Sequence, residues 1–165
     1  MPWIAPAIEL DQPSQRLRSA GQDGDLHIWE YPSAKHLTTI DAHSGPIYDC
    51  SWSHFNQNTL VASCSHDSTT IIWDFTDPLA PVVARTLFGH TDVVRACAFD
   101  YTGMYIVTAS YDKTAKVWEV ATGAELMTLE GHKGFLRCVA THPNEAVAAT
   151  SGDDTVVLIL SLIHI

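Results

Sequence analysis

The sequence repeats itself with a period of 42 to 45 residues. A turn-like aspartate recurs at positions 23, 67, 112 and 154. A serine or threonine stands four residues before each of these aspartates, and a tryptophan stands six residues after the first three of them. A histidine that follows a small residue recurs at positions 43, 90 and 132. Self-similarity at such a period indicates an architecture built from stacked copies of one structural unit.

Each period has the pattern of four short strands. In the third unit, the sequence predicts strands at 93–99, 105–110, 114–118 and 125–129, separated by turn residues. Short runs rich in β-branched and aromatic residues favour antiparallel strands. No window long enough for a helix carries a sustained 3.6-residue pattern. The chain is therefore predicted to be all-β.

The repeats resemble the WD40 β-propeller family. The resemblance covers residues 17 to 159, and its motifs are GHTDVVRACAF, TASYDKTAKVWEV, AHSGPIYDCSW, ASCSHDSTTIIWDF, SAGQDGDLHIWE and GHKGFLRC. Kelch propellers are the alternative all-β repeat, but their period is about 50 residues. The resemblance implies a partial WD40-type propeller of about three to four blades, each with four antiparallel strands, in an open arc whose ring is not closed.

The repeat boundaries divide the chain into five parts. These are a partial first blade at 1–33 (strands a to c), a second blade region with its preceding outer strand at 34–81, a third blade region at 82–122, a partial fourth blade at 123–159 and a tail at 160–165. In the first blade, we expect Trp3 to take the position of Trp52 and Phe99. The tail is expected to be non-native because the pattern fails at Leu160; a genuine alternative terminus is the other interpretation. A fragment of this kind would leave apolar blade faces open and self-associate through them.

The recurring polar residues have the composition of a nucleophilic triad. However, a catalytic group occurs once per site, whereas these residues occur once per repeat. The resemblance implies that they form a hydrogen-bonded chain within each blade, in which a buried indole N–H donates to a hydroxyl, the hydroxyl to an imidazole and the imidazole to a carboxylate. The predicted structural residues are Ser19, Asp23, Trp29, His43, Ser63, Asp67, Trp73, His90, Thr108, Asp112, Trp118, His132, Thr150 and Asp154.

The resemblance also implies a partner-binding surface on one rim of the blades. The family's contact positions lie three and five residues after the blade histidine and directly before the turn aspartate. The predicted partner-binding residues are Tyr48, His66, Val93, Arg95, Tyr111, Phe135 and Arg137. Tyrosine and arginine dominate binding hot spots. Two arginines at equivalent positions predict a small basic spot for an acidic peptide segment; solvated surface arginines are the alternative.

Composition excludes several classes of function. Nine Lys and Arg against nineteen Asp and Glu give a net charge of −10, which argues against direct nucleic-acid binding and against anionic membrane surfaces. The most apolar run, 156–165, is about half of the ~20 residues that a membrane-spanning helix needs. The four cysteines form no Cys-x-x-Cys pair and no Cys/His cluster, so we expect reduced thiols and neither a metal nor a cofactor.

These observations predict a non-enzymatic protein–protein interaction scaffold of the WD40-repeat type. Its partners would be other proteins or peptide segments, and it would act as a subunit or adaptor in a multiprotein complex. We expect a cytoplasmic location, with the nucleus as the alternative. The alternative function is the non-catalytic propeller region of a larger enzyme or of a ubiquitin-ligase-associated protein.

Overall fold

The computed structural model describes residues 7–11, 16–30, 33–53, 59–77 and 79–161. Within this part, the chain forms fifteen strands and no helix. None of the described residues belongs to a helix that is long and apolar enough to cross a membrane. The prediction of an all-β chain is confirmed.

The strands form four antiparallel sheets in chain order, and within each sheet the spatial order equals the sequence order. The first sheet contains β1 (Ala7–Asp11), β2 (Arg16–Ala20), β3 (Asp25–Glu30) and β4 (Lys35–Asp41). The second contains β5 (Ile47–Trp52), β6 (Leu60–Ser65), β7 (Thr70–Asp74) and β8 (Val82–Leu87). The third contains β9 (Val94–Phe99), β10 (Tyr105–Ser110), β11 (Ala115–Glu119) and β12 (Glu125–Leu129). The fourth contains β13 (Leu136–Thr141), β14 (Val147–Gly152) and β15 (Val157–Ser161).

The first strand of each sheet lies at the inside of an arc. Strand β5 packs between β1 and β9, and β9 packs between β5 and β13. Side chains join these inner strands to one another: the Asp49 carboxylate accepts from the Cys97 N–H at 3.1 Å, and the Thr141 hydroxyl donates to the Phe99 carbonyl at 2.7 Å. The described residues thus form the partial propeller that the repeats predict, with four successive blades and no closed ring.

The hydrophobic core consists of three layers, each between two neighbouring sheets. The alternation of side chains along a strand sends every second residue into such a layer. The layer between the second and third sheets contains Ala62, Cys64, Ile72, Leu87, Val94, Cys97, Phe99, Ile106, Trp118 and Val120. Equivalent layers lie between the first and second sheets and between the third and fourth. Because both faces of a middle sheet are buried, its strands are more uniformly apolar than those of a sheet with one wet face.

The turn that follows the second strand of each sheet has the same conformation four times. The residue directly after the turn aspartate has a positive φ: Gly24 (89°), Ser68 (69°), Lys113 (72°) and Thr155 (62°). Glycine adopts this left-handed region without steric cost, whereas a β-branched residue is strained there. The contacts that recur in each sheet, and not the type of the residue at this position, therefore determine the conformation of the turn.

The innermost strand of the first sheet differs from the prediction. Strand β1 pairs Leu10 with Leu17, the register position at which Trp52 pairs with Val61 and Phe99 with Ile106. Leu10, and not Trp3, therefore occupies the equivalent backbone position, and its pair with Leu17 spans seven residues, as the pair of Phe99 with Ile106 does. Trp3 itself, with residues 2–6, lies outside the described residues.

The last strand extends into the segment that we expected to be a non-native tail. Leu160 pairs with Ala148 and Ser161 with Val147, in the same register as the rest of β15. Residues 162–165 lie outside the described residues. The structure thus gives Leu160 the backbone position that Trp73 and Trp118 hold in the second and third sheets.

Candidate functional site

A chain of hydrogen bonds crosses the second sheet through its interior. The indole Nε1–H of Trp73 donates to Oγ of Ser63 at 2.9 Å, and that hydroxyl lies 2.8 Å from Nε2 of His43. The other imidazole nitrogen, Nδ1, lies 3.0 Å from a carboxylate oxygen of Asp67. Ser63 is completely buried and His43 is 6% exposed. The four predicted side chains of this blade are thus in direct contact.

The third sheet contains the same chain of contacts. The indole of Trp118 donates to the Thr108 hydroxyl at 2.9 Å, and His90 bridges that hydroxyl to Asp112 with 2.7 Å on each side. In the fourth sheet, His132 bridges Thr150 and Asp154 at 3.0 and 2.8 Å, and Leu160 stands where a tryptophan would donate. The contacts between hydroxyl, imidazole and carboxylate therefore recur in three successive sheets.

The bonding pattern fixes one tautomer of His43. The oxygen of Ser63 accepts from an indole that can only donate, so the one hydroxyl proton is directed to Nε2 of the imidazole. Nε2 is then the acceptor, and Nδ1 carries the proton that is donated to Asp67. Burial lowers the pKa of His43, although Asp67 opposes this shift. The neutral imidazole is thus the form that this environment favours.

The turn aspartates are held by several donors. Burial acts to raise the pKa of Asp67, but hydrogen bonds from the Thr69 hydroxyl and the interaction with His43 outweigh it and lower that pKa. The N–H of Lys133 donates to Asp154 and lowers its pKa to about 2. Threonine hydroxyls two residues after the aspartate, Thr69 and Thr114, complete the turns of the second and third sheets. The sequence analysis missed these threonines, although their fixed spacing is a readable signal.

In the first sheet, Asp23 lies in the turn, and one of its carboxylate oxygens lies 3.6 Å from Nε2 of His27. Trp29 packs edge-to-face against His36, with ring centroids 4.7 Å apart. Ser19 pairs with His27 through the backbone of β2 and β3. His27 was not among the residues predicted for this blade.

Most of the predicted partner-binding residues lie along one rim, where the inner strands begin. We call the side chains of Tyr48, His66, Arg95, Tyr111, Phe135 and Arg137 the rim surface. His66, Phe135 and Arg137 are exposed, and Tyr48, Arg95 and Tyr111 are partly exposed. Val93 is an exception: its side chain is only 6% exposed, so it offers almost no contact area, and we remove it from the surface.

Aromatic rings and guanidinium groups alternate along the rim surface. The Arg95 guanidinium lies 5.3 Å from the centroid of the Tyr48 ring and donates to the Tyr48 carbonyl at 3.2 Å. The Arg137 guanidinium lies 4.7 Å from the ring centroid of Tyr111, and the Tyr111 ring is stacked on Phe135 at 4.9 Å. Such cation–π and stacking contacts hold the side chains in one orientation before any partner binds.

The two arginines differ in their charge partners. Arg137 makes a forked ion pair with Asp153, with N–O distances of 2.8 and 2.7 Å, and its hydrogen bonds lower the pKa of Asp153. Arg95 donates instead to the backbone carbonyl of Tyr48, and its charge acts on the nearby carboxylate of Asp49. The charge of Arg137 is thus matched within the rim, whereas that of Arg95 is more available to a partner.

Asp49 was missed by the sequence analysis. Burial raises its pKa, against the opposing effect of backbone N–H donors from Cys97 and Cys50 and the charge of Arg95. The corresponding positions in the next two inner strands hold Ala96 and Cys138. The signal for Asp49 in the sequence was an acidic residue at a repeat position that holds a small residue in the next two repeats. None of the four cysteines, all in the described part of the chain, forms a disulfide.

Comparison with known proteins agrees with the geometry. The family "WD domain, G-beta repeat" matches residues 34–74, 82–119 and 123–159. The chain belongs to the WD40-repeat family. The matched segments begin at or near the outer strands β4, β8 and β12 and end within or next to the third strand of the following sheet. WD40 repeats are protein-interaction modules, and the chain is a scaffold of this type.

Several curated WD40 relatives are nuclear distribution proteins of fungi. The chain is 31% identical over 147 residues to nuclear distribution protein PAC1 of Arthroderma otae, which covers 84% of this chain and 32% of that protein. It is 32% identical over 148 residues to PAC1 of Coccidioides posadasii, covering 85% of this chain and 31% of the relative. With nuclear distribution protein nudF 1 of Talaromyces marneffei, it shares 31% identity over 123 residues, 74% of this chain and 26% of the relative. The chain thus spans about a third of the length of these relatives.

Proposed function

We propose that the chain is a non-enzymatic scaffold that serves as a subunit or adaptor in a multiprotein complex in the cytoplasm. The observation that carries this proposal is the rim surface, in which Tyr111, Phe135 and Arg137 are held against one another before binding. Rigid aromatic and arginine side chains lose little conformational entropy when a partner covers them. The similarity to nuclear distribution proteins extends over the repeats, so it supports the scaffold role more than any particular partner.

Binding is favoured over catalysis by the state of the recurring hydroxyl groups. Ser63 and Thr108 are completely buried, and each accepts a hydrogen bond from an indole. A nucleophile must reach its substrate and be activated by a base. These hydroxyls are covered by the sheet and already engaged, so they serve the blades and not a reaction.

The finer proposal concerns the chemistry of the partner. Arg95 lies beside the aromatic ring of Tyr48 and has no forked carboxylate pair of the kind that holds Arg137. A carboxylate from a partner segment could therefore pair with Arg95 while its apolar residues cover Tyr111 and Phe135. We propose an acidic peptide segment of another protein as the partner of the rim surface.

Quantitative affinity capture tests this function. The tagged chain, a Y111A/R137A variant and an R95E variant would be incubated with cytosolic extract, and the bound proteins compared by mass spectrometry. A V82A/L126A variant is the matched control because both residues are exposed on the outer strands β8 and β12. We expect a defined set of proteins that the control retains, that Y111A/R137A loses, and that R95E weakens in a salt-dependent manner. Full retention by both rim variants would contradict the rim surface as the binding site.

A further inference from the structure

A cluster of potential metal ligands lies where the second and third sheets meet. The carboxylate of Asp49 on β5, Sγ of Cys64 on β6 and Sγ of Cys97 on β9 lie within 4.8 Å of one another. Cys64 is completely buried and Cys97 is 3% exposed. Bonds from zinc to sulfur and carboxylate oxygen are about 2.0–2.3 Å long, so two ligands of one ion lie less than about 4.6 Å apart, and side-chain movements of a fraction of an ångström to about one ångström would bring these three atoms onto one ion.

We propose that Asp49, Cys64 and Cys97 form a zinc site that joins the second blade to the third. The three ligands come from three strands and two sheets, so a bound ion would connect β9 directly to β5 and β6. None of the three ligands belongs to the rim surface, although Arg95 of the rim surface lies near Asp49.

The carboxylate of Asp49 is already oriented as a ligand would be. One of its oxygens accepts from the Cys50 N–H at 2.9 Å, and the other accepts from the Cys97 N–H at 3.1 Å. Each carboxylate oxygen keeps capacity for a second interaction. Hydrogen bonds to a ligating carboxylate are the usual outer-shell support of a metal site. The N–H of Cys97 thus fixes the oxygen ligand while the side chain of the same residue supplies a sulfur.

The charges of the cluster also favour a divalent cation. The cluster lies away from water, since Cys64 is completely buried and Cys97 is 3% exposed, so negative charge is costly here without a cation. Two thiolates and one carboxylate would be balanced by Zn²⁺ and the neighbouring guanidinium of Arg95. Zinc must displace protons from the thiols, so its affinity should rise with pH.

The donor set identifies the class of metal. Two sulfur ligands disfavour Ca²⁺ and Mg²⁺, which take oxygen ligands. Thiolates combined with a carboxylate suit Zn²⁺ and its softer analogue Cd²⁺. The second group of potential ligands among the described residues, Asp23, Asp25 and His27, has no sulfur and includes the exposed Asp23, and we propose nothing for it.

The repeats themselves supply variants that fit the fold. Cys97 corresponds to Val139 in the next inner strand, and Cys64 corresponds to Ala109 on β10. C97V and C64A therefore place at each site a residue that the chain already uses there. C138A is the matched control because it removes an exposed thiol, whereas Cys50 lies directly beside the cluster and its N–H donates to Asp49.

The test uses the whole 165-residue chain, purified with a reductant and freed of metal. Zn²⁺ would be titrated by calorimetry, and Cd²⁺ by the ultraviolet charge-transfer band of the cadmium–thiolate bond. We expect about one ion per chain, a thiolate band, and a loss of affinity of at least about tenfold in C64A, C97V and D49N, as ligand loss exceeds the effect of losing an outer-shell partner. C138A should bind as the unmodified chain does.

Three results would overturn the site. The first is the absence of a cadmium–thiolate band in the folded, reduced chain, a result that depends on no variant. The second is binding that survives both C64A and C97V. The third is an equal loss of binding in C138A, which would place the ion elsewhere.

Discussion

The Nε1–H of Trp73 donates to Oγ of Ser63 at 2.9 Å, and in the third sheet Trp118 donates to Thr108 at the same distance. The tryptophan lies on the third strand and the hydroxyl on the second, so the bond joins two neighbouring strands of one sheet. The hydroxyl in turn donates a hydrogen bond to a histidine in the loop before the sheet. The two hydrogen bonds together therefore connect that loop to the strands. A buried indole without this acceptor would cost free energy.

Removal of the buried hydroxyl should destabilise the chain. S63A leaves the Trp73 indole and Nε2 of His43 without their shared partner, and we expect the free energy of unfolding to fall by about 1–3 kcal/mol. S44A is the control because Ser44 is exposed and its N–H, not its side chain, contacts Asp67. Urea unfolding followed by circular dichroism measures both variants. Equal stability of S63A and S44A would show that the hydrogen-bonded chain contributes nothing.

Restoring the missing tryptophan in the fourth sheet should stabilise it. Leu160 has the register position of Trp73 and Trp118, and the Thr150 hydroxyl already lies beside His132. L160W would add an indole donor to that hydroxyl, and we expect a gain of about 0.5–1.5 kcal/mol. L160F adds a ring without the N–H and is the control. If thermal unfolding shows that phenylalanine stabilises as much as tryptophan, the gain comes from packing and not from the donor.

Glycine at the left-handed turn position should relieve strain. Thr155 is β-branched and has a φ of 62°, while the first sheet places Gly24 at the equivalent position. The left-handed region costs a non-glycine residue roughly 1–2 kcal/mol, and the greater flexibility of unfolded glycine cancels part of that gain. T155G should therefore raise stability by a few tenths to about 1 kcal/mol, whereas T155A should give less. A loss of stability in T155G would mean that the positive φ is not adopted in solution.

Acid should destabilise the chain in two steps. Burial lowers the pKa of His43 from its usual value of 6.5. Below pH 6.5 the unfolded chain therefore binds a proton at this residue more readily than the folded chain does. The free energy of unfolding falls as the pH decreases through this range. The lowered pKa values of Asp67, Asp112 and Asp154 add a second loss below 3.8, extending towards pH 2. Asp25 and Asp49, whose pKa values are raised by burial, act in the opposite direction.

The midpoint of thermal unfolding between pH 8 and pH 3 measures this dependence. H43Q should flatten the slope between pH 7 and pH 5 relative to the unmodified chain. A midpoint that rises on acidification from pH 7 to pH 5 would contradict the assignment of a neutral, buried His43.

The sequence predicted the strands of the third sheet almost to the residue because its turns are marked by Thr-Gly, by the aspartate and by a second Thr-Gly. It also predicted which residues recur, since a hydrogen-bonded chain requires each donor and acceptor at a fixed distance from the strand ends. The first sheet was harder. Its inner strand is short and has no aromatic residue at the position of Trp52 and Phe99. The aromatic pattern therefore predicted Trp3 for that position, which Leu10 occupies.

Contacts between sheets could not be read from the repeat. Asp49 and Cys97 belong to different blades, and nothing in their spacing indicates that a carboxylate of one strand accepts from the backbone of the next. The same reason explains Val93: its repeat position is that of exposed Phe135, but its smaller side chain is buried. The ion pair of Arg137 with Asp153, which lies directly before the turn aspartate Asp154, likewise becomes visible only in the structure.

The central claim is that indole, hydroxyl, imidazole and carboxylate groups hold each blade together from within. Hydrogen exchange of the indole N–H protons, followed by nuclear magnetic resonance, tests it most directly. The account predicts that the Trp73 and Trp118 indole protons exchange slowly, and that S63A accelerates Trp73 alone while T108A accelerates Trp118 alone. Rapid exchange of both indole protons in the folded, unmodified chain would contradict it.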